Sequence, residues 1–331
     1  MPRYVIHIGP HKTGTTYLQH AFTRSRPALE ARGIVYPGQW GSEFGHHDLA
    51  RRLAAGEDPS LPGIFSKLNR SGAETILLSS ESFSYADDAS VRRLHALLGG
   101  EPAIIVFYCR RWSELIQSSW GQGVRHGSLL TFPSHAFSHL SDPWSSELVN
   151  FDHVLARWGA VFGGGSLRVA SYSAVMETNE DLLTHFCRHF LAWPDPTPND
   201  LGRINDSLDM VDHEIIRALN TLERINSGSG WRILTMEYLA AKPLMPVAWL
   251  IETAMQFNVE SLRIDDASTA LATLHTSLAA RYRAVQVGPI PAMGLFEPRV
   301  VDVNYVRPDY LMVEGVLETL KDMHGKLWAP R

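Results

Sequence analysis

Cysteine is nearly absent. Cys109 and Cys187 are the only two in 331 residues, which excludes a disulfide framework and makes a reducing compartment the default. Long apolar runs are missing as well. The amino-terminal "MPRYVIHIG" is too short for a signal-peptide core and meets Lys12 at once, and no stretch reaches the roughly 18 apolar residues of a membrane span. Nor is there a surplus of positive charge. With 30 basic against 35 acidic residues and a formal net charge of -5, a general polyanion binder is excluded and nucleic acid is not an expected partner. Any anion chemistry must be local. The expectation is a soluble, cytoplasmic protein, its oligomeric state open. A 45% hydrophobic content allows a sizeable core.

What is present reads first as alternating strands and helices. "RYVIHIG" (3–9), apolar, β-branched and closed by Gly-Pro, predicts a buried strand entering a turn. A helix then starts near Gly14 and runs through "TTYLQHAF". "GIVYPG" (33–38) is a brief extended piece, and "HHDLARRLAAG" (46–56) a helix closed by glycine. "ETILLSSE" (74–81) and "PAIIVFYCR" (102–110) are near-continuous apolar runs flanking the helical "ASVRRLHALLGG" (89–100), the unit of a parallel sheet buried on both faces. "FDHVLARWGAVF" (151–162) and "SLRVASY" (166–172) add a helix and a strand. From Met210, the residues Val211, Ile215, Ile216, Leu219, Leu222 and Ile225 recur at helical spacing. "AWLIETAMQF" and "ASTALATLHTSLAARYRAV" continue in helices, and Val287 to Pro308 reads as an irregular connection. The expected fold class is α/β: a P-loop-type parallel β-sheet flanked by helices, with a mostly helical carboxyl-terminal portion. A single domain over 1–331 is expected, with its nucleotide-binding core in 1–200 and the helical portion in 201–331.

"HIGPHKTGTTYLQ" (7–19) carries the chemistry. Gly9 and Gly14 have the spacing of an ATP loop, G-x-x-x-x-G-K-[ST], but Thr15 and Thr16 stand where lysine and its hydroxyl neighbour belong. The only lysine, Lys12, lies inside the loop. A glycine loop between strand and helix aims backbone N–H groups and the helix dipole at one point, which suits a phosphate or sulfate. The bland reading is a tight turn with an exposed lysine. A Mg²⁺-nucleotide site needs an acidic residue to hold the metal. Here the second strand ends in Glu81 and the third in the cation of "FYCR", so the site reads as electropositive and metal-free. Arg110 ends a strand where open parallel sheets bind ligands. Ser118 lies on the following helix, turned away from the stripe Trp112, Ile116 and Trp120, and can converge with Arg110 on a second phosphate. Otherwise Arg110 or Arg111 pairs with Glu114 on the surface and Ser118 only packs.

Together the two motifs resemble the sulfotransferases that use 3′-phosphoadenosine 5′-phosphosulfate (PAPS). The family's P-K-S-G-T-T-[WY]-L loop appears as "HKTGTTYL" (11–18), and its strand followed by R-x-x-x-x-x-x-x-S runs from Arg110 to Ser118. "GIVYPG", "LLSSES" and "YCRRWSELIQS" are most similar to bacterial carbohydrate-type members, over about residues 4–190. The resemblance implies a donor site in which Lys12 neutralises charge on the leaving 5′-phosphate. Gly14, Thr15 and Thr16 would hold that phosphate within the loop that His11 and Thr13 also line. Arg110 and Ser118 would take the 3′-phosphate, and Tyr17 and Tyr172 would lie near the adenine. No R-K-G segment completes the site near the carboxyl terminus, where Arg281, Arg283 and Arg299 are possible substitutes.

Sulfuryl transfer to a hydroxyl also needs a base, and the family uses histidine or glutamate. Glu81 in "LLSSES" and His47 in "GSEFGHHDLA" rank equal, with Glu43 behind and His46 as a further candidate. Glu81 could equally be a helix-cap carboxylate, and either histidine a helix-end residue. Asp206 or Ser207 in "RINDSLD" reads as a helix cap. Aromatic residues in "GQW" (38–40), "LTFPSHAF" (130–137) and "DPWSS" (142–146) could stack on sugars or anchor loops. On resemblance, the acceptor is a carbohydrate or lipid-linked glycan. The competing readings are a P-loop kinase or nucleotide hydrolase with a displaced lysine, and a non-catalytic nucleotide-binding protein.

Overall fold

Apolar runs become strands, and the lengths between them set how they pair. A computed structural model of the chain describes residues 2–38, 40, 44–56, 58–194, 196, 208–227, 233, 235–242 and 247–328. Strand β1 (Arg3–His7) leads into helices α1 (Thr15–Arg24) and α2 (Arg26–Glu30), then β2 (Ile34–Val35), α3 (His47–Ala55) and α4 (Leu61–Asn69). Next come β3 (Thr75–Ser79), α5 (Asp88–Leu98), β4 (Ala103–Cys109), α6 (Trp112–Arg125), α7 (Phe132–Leu140) and α8 (Asp152–Phe162). They are followed by β5 (Leu167–Ser171), α9 (Tyr172–Glu177), α10 (Leu182–Phe190), α11 (Met210–Ser227), α12 (Thr235–Ala241) and α13 (Val247–Asn258). The remainder is β6 (Val259–Asp265), α14 (Thr269–Tyr282), β7 (Gln286–Val287), β8 (Val300–Val306) and α15 (Val316–Trp328). Two compact units result. The first comprises Met1–Arg111, Glu147–Ile204 and Ser268–Pro298, the second Trp112–Ser146, Asn205–Ala267 and Arg299–Arg331.

The first unit is built on a six-stranded sheet in the order β2-β3-β1-β4-β5-β7, every pairing parallel. This is the expected α/β class. Strand β1 lies between β3 and β4, and the chain turns to one side after β1 and to the other after β4. Open sheets bind ligands at such a reversal, beyond the carboxyl ends of the strands. The loop from His7 to Thr15 begins there. Val5, Leu77 and Val106 of neighbouring strands pack with Leu18, Ala21 and Phe22 of α1 and with Phe186 and Phe190 of α10, all buried.

Strand β3 is buried along its whole length but stops at Ser79, two residues short of the expected end. The Ser80 hydroxyl accepts the Ser82 N–H and turns the chain into a short 3-10 segment, Glu81–Tyr85. Glu81 therefore lies just beyond the strand. Cys109 and Cys187 are free and buried, and burial raises both thiols to about 12. Neither is a reactive thiolate near neutral pH.

In the second unit α11 packs against α6 and α15. Its buried face carries charge that is paired locally. Arg217 grips Glu214, Asp212 accepts from Tyr238 and Lys242, and His324 meets Glu223. The expectation of an irregular connection over Val287 to Pro308 is corrected here. Residues Val300–Val306 form a strand antiparallel to β6, in register from Val259 opposite Val306 to Asp265 opposite Val300. The alternation of a half-exposed strand is present, with Val301, Val303 and Tyr305 turned in between exposed Asp302 and Asn304, but it is short and flanked by Pro289, Pro291, Pro298 and Pro308, which make the stretch read as irregular. Among the described residues no helix is long and apolar enough to cross a membrane.

Candidate active site

The loop after β1 is laced to β4 at both ends of its first turn: Ile8 N–H donates to Val106 O at 3.0 Å and Tyr108 N–H to Gly9 O at 3.1 Å. It then reverses through three left-handed residues, Gly9 (φ 88°), Lys12 (φ 68°) and Gly14 (φ 75°). Glycine adopts that conformation freely. For Lys12 it costs roughly 1 kcal/mol, and strain of this kind is kept where surrounding contacts enforce it. Two such contacts are visible. Thr13 Oγ1 donates to Pro10 O at 2.7 Å, and Arg110 Nη1 donates to the Lys12 carbonyl at 2.6 Å. Gly14 is fixed by packing as well, since a Cβ there would lie 2.4 Å from Leu182 and 3.3 Å from Tyr172. Helix α1 begins at Thr15 with no side-chain cap, so its first-turn N–H groups and dipole face the loop, as an anion site requires.

Arg110 does a second thing. Its guanidinium carbon is 5.2 Å from the Tyr172 ring centroid, a cation–π distance. The adjacent Arg111 is buried and structural, donating to Glu297 O at 2.8 Å and pairing with Glu177. Tyr17 donates its hydroxyl to Asp181, and burial followed by that carboxylate pushes the phenol well above its ordinary range. Thr15 is buried and Thr16 exposed. Ser118 is carried by the second unit, half-buried on α6, while Trp112, Ile116 and Trp120 form the buried stripe expected of that helix. Of the possible R-K-G substitutes, Arg281 is engaged by Asp152 at 2.6 Å.

Beside the loop the fold gathers three polar side chains around Glu81. His47 Nε2 is 3.7 Å from Glu81 Oε2, and His11 Nδ1 is 3.9 Å from Oε1. Gln19 Nε2 donates to Oε2 at 2.8 Å. The opposite ring nitrogen of His47 lies 2.9 Å from Ser80 Oγ. Glu81 also touches the loop backbone, because a Cβ on Gly9 would come within 3.0 Å of Glu81 Cα. The two candidates that ranked equal in the sequence, Glu81 and His47, thus share one cluster with the loop's own His11. Tyr85, 66% exposed, sets its ring 5.2 Å from that of His11 and offers an aromatic face at the edge.

His46 is not part of this cluster. It is buried, its Nδ1 accepts the Ser79 N–H at 2.9 Å, and its Nε2 donates to Pro37 O at 2.9 Å. Burial pushes the imidazole down from 6.5 to about 4. A folded-state value below the unfolded one means the unfolded chain binds the proton more readily, so stability is full above about pH 6.5 and falls as pH drops towards 4. His46 alone accounts for roughly 3 kcal/mol of that loss. The expected result is a shallower decline for His46→Gln, read from urea unfolding at pH 7 and at pH 4.5. His7 lies behind the site in the same state, with Nδ1 2.9 Å from Ser79 Oγ and its pKa lowered by burial to about 4.

Glu43 and the segment with Asp206 and Ser207 lie outside the described residues. Among the described residues no group of three or more His, Cys, Asp or Glu is arranged to hold a metal ion. Sequence reasoning missed Gln19, whose one available signal was a polar residue between Leu18 and Ala21 on the apolar face of α1.

No family model matches the chain, and no curated protein matches it. Among solved structures it is similar to the crystal structure of a sulfotransferase from Alicyclobacillus acidocaldarius, with 15% identity, 67% of this chain and 93% of that chain covered, and a TM-score of 0.37. A likeness at that level says nothing of activity.

Proposed function

We propose that this protein is a sulfotransferase moving a sulfuryl group from PAPS to a hydroxyl of an acceptor, probed first among carbohydrates and glycolipids. The observation that carries this reading is the "HKTGTTYL" loop, its lysine inside the turn and its backbone packed on Glu81. The loop fits a 5′-phosphosulfate by its uncapped helix start and by the enforced left-handed turn at Lys12. Bound there, the donor supplies an activated sulfuryl group on a 5′-phosphate leaving group.

Each residue then has a defined task. First-turn N–H groups of α1, with Thr15 and Thr16, hold the 5′-phosphate. Lys12 neutralises the electron pair that the phosphate takes as the bond between sulfur and the bridging oxygen breaks. Glu81 accepts the acceptor's hydroxyl proton as that oxygen bonds to sulfur. It is preferred to His47 because its Oε1 faces the loop histidine, His11, at 3.9 Å. Arg110 and Tyr172 take the nucleotide end, with Ser118 assigned there from the sequence motif alone. The exposed ring of Tyr85 is a surface on which a sugar ring can stack.

Calorimetry tests this directly. Tight, metal-independent binding of 3′,5′-adenosine bisphosphate, with little heat from ATP, is the expected result. Arg110→Ala is expected to weaken that binding at least about tenfold, as for loss of a charged hydrogen-bonding partner. Mg²⁺-dependent ATP binding without a response to the bisphosphate would establish a kinase-like site instead.

A further inference from the structure

The surroundings of Glu81 carry one step beyond the proposed function, on which this inference rests. Gln19 lies in the second turn of α1, 3% exposed, among the apolar Leu18, Ala21 and Phe22. A buried amide is costly unless its hydrogen bonds are made. Its short bond goes to Glu81 Oε2 at 2.8 Å, with Ser79 Oγ at the limit of reach, 3.5 Å. Space around that bond is reserved by Gly45, where a Cβ would come within 2.6 Å of Gln19 Oε1 and 2.7 Å of His47 Nε2. Any side chain at Gly45 would displace both.

The two carboxylate oxygens are therefore unequal. Oε2 accepts from Gln19 and faces His47; Oε1 faces His11 and the loop. We propose that Gln19 is the positioning residue of the base, holding Oε2 so that Oε1 is the oxygen that receives the acceptor's proton. Gln19 belongs to the helix whose first turn binds the 5′-phosphate. The donor site and the base are thus oriented by one rigid element, and the angle between them is set before substrate arrives.

The test separates orientation from binding. Gln19→Leu removes the donor at similar volume. Bisphosphate affinity by calorimetry is expected to stay within about twofold of wild type, while kcat for bisphosphate release from PAPS falls about tenfold or more. Methyl β-glucoside serves as trial acceptor, with water alone in parallel. In a Glu81→Gln background the same substitution is expected to add nothing, because it acts through Glu81. Gln19→Glu keeps the shape but sets a second carboxylate against Glu81; it is expected to slow release at least as much and provides the readout if Gln19→Leu does not fold. Unchanged kcat in the folded variants, or an equal loss with and without Glu81, overturns the positioning role. A wild-type protein that binds no bisphosphate overturns the functional reading beneath it instead.

Discussion

Lys12→Ala is expected to abolish transfer, lowering kcat by about 10²- to 10³-fold or more, as when one preorganised charge-stabilising group is removed from a site. Affinity for the bisphosphate product is expected to change far less, because the first turn of α1 and Arg110 remain. The structure adds a second reason to expect the separation. Lys12 is held at φ 68°, with its carbonyl taken by Arg110 and its neighbour Thr13 tied to Pro10. Those contacts use backbone atoms and survive truncation of the side chain. The loop should keep its shape while losing its charge. Single-turnover release of bisphosphate, set beside calorimetric affinity, checks this; a parallel collapse of both would make Lys12 a binding residue only.

Glu81→Gln is the second large effect, a fall of about 10²- to 10⁴-fold in kcat, the range for removing a general base. The amide keeps the volume and can still meet Gln19 after a flip, so melting temperature and bisphosphate affinity should stay near wild type. His47→Ala is the control. It removes a group 3.7 Å from Glu81 Oε2 that is also engaged by Ser80, and a smaller loss is expected. Should His47→Ala be inactive and Glu81→Gln active, the base is the histidine.

Much of the first unit could be read from the chain, because strands buried on both faces must be continuous apolar runs, and 75–79 and 103–109 are that. The loop was legible for a related reason: few sequences can turn from such a strand into a helix without glycine at both bends. Adjacent identical residues were not separable. His46 and His47 differ by one position, yet one is locked between Pro37 and Ser79 and the other faces Glu81. Arg110 and Arg111 divide likewise between the loop carbonyl and a buried ion pair. Periodicity says which way a residue points only once the element's end is known, and both pairs sit at element ends. Gln19 was illegible for another reason, since its partner is distant in sequence. The ribbon of β6 and β8 shows a third limit, where a short alternation, Val301, Val303 and Tyr305 against Asp302 and Asn304, is outweighed by the prolines around it.

The imidazole of His46 does the work of a piece of main chain. His46 N–H donates to Ser79 O at 2.8 Å while Nδ1 accepts the Ser79 N–H, so the side chain pairs with the strand end as a peptide group would. Nε2 meanwhile returns to Pro37 O. One ring therefore clamps both ends of the intervening segment to the sheet. The far end of that segment is tied to the cluster as well, since a side chain at Gly45 would press on both Gln19 and His47. His46 thus acts as a splint, one imidazole standing in for a length of strand at the edge from which His47 projects.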